Sequence, residues 1–109
     1  MNCSVLATRP FERKLKQLAK KYLSIAGDLE ALGKELEETP TLGTPLGKDC
    51  YKIRMAITSK GQGKSGGARI ITCVRVVKNT VYMIDIYDKS EQDSISDREM
   101  RKAIDELTE

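Results

Sequence analysis

The chain has no histidine, no tryptophan and a single phenylalanine, Phe11. Without histidine, a nucleophile activated by imidazole and a mixed cysteine/histidine zinc site are both excluded. Three cysteines, Cys3, Cys50 and Cys73, are an odd number with no C-x-x-C pair. That count argues against a disulfide framework and leaves buried thiols in a reducing compartment as the expectation. No apolar run approaches the roughly 18 residues needed to span a bilayer, and the amino terminus lacks the basic-then-apolar order of a signal peptide. The sequence is also without a carboxylate cluster suited to a divalent metal. A cytoplasmic protein with no membrane partner and no cofactor is expected.

What is present fits one small domain of 109 residues, since two cores of half that length could not offset the entropy of ordering their backbones. With so few aromatics the core must be aliphatic. The net charge of +3 conceals a polarised distribution. Residues 41–78 hold eight cations against Asp49 alone, a net +7, whereas residues 79–109 carry −5. A basic segment of this kind suits a phosphate-rich partner, because each neutralised phosphate releases counterions; a merely solvated basic face is the plainer alternative. The acidic carboxy-terminal stretch could shield the basic sheet once the last helix docks.

Residues 3–7 read as a short strand, ended where Thr8, Arg9 and Pro10 open a helix. Phe11, Leu15, Leu18 and Tyr22 recur at helical spacing with lysines and arginines between them, and Ile25, Leu29, Leu32 and Leu36 repeat that spacing in a second helix that Ser24 can cap. The short link between them predicts a helical hairpin. Residues 39–49 read as a Pro/Gly-rich connector without periodicity. From Cys50 the period becomes two: Tyr51, Ile53, Met55 and Ile57 share one face, and Lys52, Arg54, Ala56 and Thr58 the other. Residues 59–67 form a long flexible connection. A second strand over 68–77 sets Ile70, Thr72, Val74 and Val76 against Arg69, Ile71, Cys73 and Arg75. After a tight turn at 78–80, a third strand points Tyr82, Ile84 and Ile86 inward and Met83, Asp85 and Tyr87 outward. Ser96 and Glu99 make a capping box for a last helix with Met100, Ala103, Ile104 and Leu107 on its apolar face. The order is β-α-α-β-β-β-α, an α+β fold in which the helical hairpin packs on a small antiparallel sheet.

Strand alternation places Lys52 and Arg54 on one face, and matching registers would add Arg69, Arg75, Asp85 and Tyr87, a cationic concavity on stiff supports. Edge positions that carry Lys and Arg to discourage aggregation are the competing explanation. The loop KGQGKSGG fails as a nucleotide-binding P-loop, since Thr58 stands where its first glycine belongs and a strand follows instead of a helix. Lys60 and Lys64 could instead make it a mobile cationic finger along a nucleic-acid backbone. Without histidine or metal, strand scission is confined to attack by the 2′-hydroxyl of RNA on its own phosphate, with lysine, arginine or tyrosine as helpers.

The succession DCYKIRMAI, GGARIITCV and YMIDIYDKS behind the helical FERKLKQLAKKY segment resembles the RelE/ParE superfamily of toxin–antitoxin toxins. Its most specific pieces are the YKIR strand, the LGTPLG approach to it and the SKGQGKSGGARIIT hairpin. The resemblance covers nearly the whole chain and implies a single toxin domain over 1–109. Members resembling RelE are implied to enter the ribosome and cleave mRNA there, leaving a cyclic phosphate, with a cognate antitoxin that covers the cationic face. Carried over by position, the paired basic residues fall on Lys52 and Arg54, the arginine opening the next strand on Arg69, and a later arginine near Lys89. The family's carboxy-terminal tyrosine falls near Ile95, so Tyr87, eight residues earlier, is the candidate replacement. Lys52, Arg54, Arg69, Tyr87 and Lys89 are therefore the candidate catalytic residues, and Lys48, Lys60, Lys64 and Arg75 the candidate RNA-binding ones. A ParE-like gyrase inhibitor and an inactive RNA-binding relative are the alternatives.

Overall fold

The computed structural model of the chain describes residues 3–107. β1 (Ser4–Ala7) leads through Thr8 into α1 (Arg9–Lys21). The Thr8 hydroxyl accepts from the Phe11 N–H, and Pro10, which has no N–H to lose, sits in the first turn. α2 (Ile25–Glu38) follows after a three-residue link. Ser24 occupies its N-cap position but makes no side-chain cap; its hydroxyl turns to Asp28 and Ser59. The apolar stripes behave as their spacing predicts: Phe11, Leu18, Ile25, Leu32 and Leu36 are buried, with Leu15, Tyr22 and Leu29 packed beside them.

The connector contains a strand that the sequence reading missed. β2 (Thr44–Gly47) pairs antiparallel with β3 (Cys50–Met55), and the two-residue turn between them has positive φ at both Lys48 and Asp49. That is the conformation whose twist matches a tight hairpin. A proline and a glycine in four residues hide such a strand, yet Pro45 is acceptable because β2 lies at the sheet edge.

β4 (Ala68–Arg75) and β5 (Thr80–Asp88) complete a five-stranded sheet in the order β1-β5-β4-β3-β2. The sheet is mixed, not wholly antiparallel, because β1 lies parallel to β5 with Ser4 opposite Thr80 and Ala7 opposite Met83. β4 stops at Arg75, two residues before the expected end, and leaves Val76 and Val77 exposed in the turn. One face of the sheet carries Ile53, Met55, Ile70, Val81, Met83 and Ile86 under the helical hairpin. The opposite face carries Cys50, Ile71, Cys73, Ile84 and Tyr87 under α3 (Asp97–Asp105) and Leu107. α3 begins at the expected capping box of Ser96 and Glu99.

One expectation about side-chain direction is corrected. A bulge in the β4–β5 pairing sets Ile71 opposite Asp85 but Thr72 opposite Met83. The alternation of β5 is therefore inverted before the bulge: Tyr82 and Ile84 join the α3 face, and Met83 packs under the hairpin. Three acids of the carboxy-terminal segment are already paired. Asp85, Asp88 and Glu91 pair with Lys14, Lys60 and Lys21.

Candidate active site

β3, β4 and β5 bring three of the candidate residues into one row. Arg54 lies opposite Arg69, and Arg69 lies opposite Tyr87. With neighbouring strands about 4.8 Å apart, the row spans about 10 Å, the scale of one nucleotide and its phosphates. Lys52 is on the next pair inward, opposite Ile71, which is itself opposite Asp85. Lys89 continues past the end of β5, two residues beyond Tyr87, where its ammonium pairs with Asp93 at 3.1 Å.

Exposure divides the row. Arg54 is exposed and Lys52 half-buried, whereas Arg69 and Tyr87 are only 4% and 5% exposed. The Arg69 guanidinium is occupied by backbone: Nη1 donates to the Lys64 carbonyl at 2.9 Å and to that of Ala68, and Nη2 donates to the Ser65 carbonyl at 3.2 Å. Its planar fork thus clasps the segment that covers it. Beside it the Tyr87 hydroxyl is buried with no hydrogen-bond partner among the described residues. Burial pushes the Tyr87 hydroxyl above its ordinary pKa, against the opposing pull of Arg69, so it remains protonated at neutral pH. Lys52, Arg54 and Lys64 also line a cavity of about 460 Å³ between α2 and β3, with Asp28 and Glu35 on its other wall. It opens where β2 has ended and β3 has become the sheet edge.

The connection between β3 and β4 begins with a turn tied to α2. Thr58–Lys60 form a 3₁₀ turn. The Thr58 N–H and hydroxyl donate to the Asp28 carboxylate at 2.9 and 2.6 Å, and the Ser59 N–H donates to the Ser24 hydroxyl at 2.8 Å. Burial weighs against ionisation of Asp28, yet these Thr58 bonds and the Ser24 hydroxyl hold its carboxyl below the usual range. Lys60 is turned inward, correcting its assignment to a mobile finger. Its ammonium donates to Asp88 at 2.6 Å and lies over the Tyr22 ring. Asp88 also accepts from the Tyr22 hydroxyl at 2.6 Å and from the Ser90 hydroxyl at 2.7 Å. Lys64 is exposed at the far side of the turn.

The remaining two cations belong to the other end of the sheet. Arg75 is six residues along β4 from Arg69, about 20 Å away in extended chain. Lys48 occupies the β2–β3 turn at that same end, where the Val74 N–H reaches the Asp49 carbonyl. Sequence reasoning placed Tyr22 only in the apolar stripe of the first helix and did not single out Asp88, the two anchors of the covering segment. Their pairing carries no local signal, because they meet only where the end of α1 packs on β5.

Among the described residues no helix is long and apolar enough to cross a membrane. The fold is similar to that of an arginine-to-alanine double mutant of E. coli toxin RelE in the free state, with a TM-score of 0.64 at 20% identity over 99% of this chain and 100% of that one. No curated protein matches the chain. A family model described as "RelE toxin of RelE / RelB toxin-antitoxin system" matches residues 5–108, nearly the whole sequence, and the chain therefore belongs to the RelE toxin family of toxin–antitoxin systems.

Proposed function

We propose that this toxin is a metal-independent endoribonuclease that cuts mRNA on the ribosome and so arrests translation. The observation that carries the proposal is the cross-strand row of Arg54, Arg69 and Tyr87 with Lys52 beside it. The attacking group is the RNA 2′-hydroxyl; its oxygen bonds to the adjacent phosphorus, the 5′-oxygen leaves, and a cyclic phosphate remains. Lys52 and Arg54 assist the 2′-hydroxyl by charge, Lys52 as a compact cation and Arg54 by its planar fork, while the released proton passes to water. Arg69 stabilises the charge that builds on the phosphoryl oxygens. That role requires the incoming phosphate to displace the Lys64 and Ser65 carbonyls from the guanidinium. Tyr87, held protonated, gives its proton to the leaving oxygen, a task Lys89 could share. Arg75 and Lys48, about 20 Å distant, would touch RNA or ribosome outside the reacting phosphate. The cognate antitoxin is then a protein that covers the Lys52–Arg54 face.

Cell-free translation of a reporter mRNA with the purified toxin tests this reading. Translated mRNA should show cuts by primer extension, untranslated mRNA should not, and Lys52→Ala or Arg54→Ala should abolish the cuts without unfolding the protein. Translated mRNA that stays intact refutes the nuclease. Arrest accompanied by DNA breaks, and unaffected by either substitution, would instead assign the toxin to gyrase.

A further inference from the structure

We propose that Cys50 and Cys73 form a redox-active dithiol, a modification site at which hydrogen peroxide closes a disulfide between β3 and β4. The two residues lie directly opposite one another in the sheet. The Val74 N–H donates to the Asp49 carbonyl at 2.9 Å, which makes 49/74 the hydrogen-bonded pair and 50/73 its non-hydrogen-bonded neighbour. At such positions facing Cα atoms approach to about 4.5 Å, the nearest spacing a sheet offers. Disulfides span Cα separations of about 4.4–6.8 Å, so these strands need not part or shift register to be bridged. Both side chains point to the α3 face and share one buried cluster with Leu107.

The pair is asymmetric. Arg75 Nη1 donates to the Cys73 sulfur at 2.8 Å, while the Cys50 sulfur contacts the Lys48 carbonyl at 3.5 Å. A guanidinium against one sulfur and a carbonyl against the other select Cys73 as the thiolate and keep Cys50 as the thiol. In keeping with that, the Cys73 thiol is drawn below its ordinary value, by its hydrogen bond with Cys50 first and by Arg75 as well, against burial. Cys50 is pushed up by the same hydrogen bond and by burial. Arg75 and Leu107 line a cavity of about 490 Å³ whose other walls include Val76 and Val77, and Val77 is fully exposed. The guanidinium that holds the buried Cys73 sulfur is thus itself on the wall of an open cavity.

The chemistry balances. The Cys73 sulfur attacks one peroxide oxygen, the O–O bond breaks, and a sulfenic acid forms while the departing hydroxide takes up the thiol proton as water. The Cys50 sulfur then attacks the Cys73 sulfur, the S–O bond breaks, and a second water leaves. Two thiols supply the two electrons that reduce one peroxide, and a small-molecule thiol reverses the bond by exchange. Cys3 provides an internal control. It lies on the hairpin side of the sheet, where its thiol donates to the Leu36 carbonyl at 3.2 Å.

The test uses the native full-length protein, exposed to excess hydrogen peroxide at neutral pH, then alkylated and examined by mass spectrometry. Alkylatable thiols should fall from three to one, a peptide containing Cys50 should be joined to one containing Cys73, and dithiothreitol should restore all three. In Cys50→Ser, dimedone should trap a sulfenic acid on Cys73. Arg75→Gln should close the bond several-fold more slowly and Arg75→Lys should recover the rate. Three thiols surviving peroxide, Cys73 over-oxidised with Cys50 still free, or bonds between molecules through Cys3 would each overturn the proposal. An Arg75→Gln rate equal to wild type would overturn the activation of Cys73 by the guanidinium. None of these outcomes depends on whether the toxin cleaves RNA.

Discussion

Asp88→Asn tests how the covering segment is held. The Asp88 side chain is completely buried and accepts from Lys60, Tyr22 and Ser90, and Lys60 is itself only 11% exposed. Removing the charge strands a nearly buried ammonium, a change that costs about 3 kcal/mol or more where one partner of a buried pair is lost. With a urea dependence of about 1.5 kcal/mol/M for a domain of this size, the unfolding midpoint should fall by about 2 M. Replacing both groups, as Lys60→Met with Asp88→Leu, should recover much of that loss, since no charge is then left unpaired. The pH dependence gives an independent readout. Burial alone would raise the Asp88 pKa, but the bonds from Lys60, Tyr22 and Ser90 outweigh it and hold the carboxyl well below the usual range. A depressed folded-state pKa adds stability above the unfolded value of about 3.9, and that stability drains away as the pH falls through the folded value. Wild type should therefore lose stability below about pH 4 more steeply than Asp88→Asn. A midpoint shift under 0.5 M, roughly a surface pair's worth, would show that the Lys60–Asp88 pair does not hold the segment down.

Three further substitutions separate folding from chemistry. Tyr87→Phe removes a buried hydroxyl that has no partner, so thermal stability should be unchanged or higher; under the proposed mechanism cleavage should nonetheless fall about 100-fold or more. Cleavage at the wild-type rate would take Tyr87 out of the reaction. Gly67→Ala should cost about 3 kcal/mol in chemical denaturation, because a Cβ there would sit 2.1 Å from the Met55 carbonyl oxygen and force β3 from β4. Arg69→Ala should loosen residues 61–66, seen as faster proteolytic nicking there, and lower stability by about 2 kcal/mol as the Lys64 and Ser65 carbonyls lose their donor. Nicking unchanged from wild type would mean that the guanidinium does not secure the loop.

What the sequence made legible follows from how local each signal is. The helical stripes, the Ser96–Glu99 capping box and the two faces of β3 and β4 depend on neighbours within a turn or a two-residue period, and they appear as read. Lys60 shows the limit: surrounded by glycines and polar residues it looks like part of a solvated finger, yet a carboxylate 28 residues away and an aromatic ring 38 residues earlier draw it inward. β2 escaped notice because Pro45 and Gly47 mask a strand whose existence rests on pairing with β3.

The candidate site owes its assembly to the least legible feature, the bulge in the β4–β5 pairing. Strict alternation cannot place both Ile84 and Tyr87 on one face, since they are an odd number of residues apart. Both do lie on the α3 face, because the extra residue shifts the phase between them. Had β5 kept a single phase set by Val81 and Met83 under the hairpin, Tyr87 would have faced α1, and Arg69 would have had no hydroxyl beside it. Deleting one residue at the bulge, with Ile84 the natural choice, should turn Tyr87 toward the hairpin or unpair the start of β5 from β1. If the deletion leaves the sheet cooperative and the Tyr87 hydroxyl in its buried place beside Arg69, as judged by its titration and by Tyr87→Phe controls, then pairing with β4 alone positions the tyrosine and the bulge has no part in building the row.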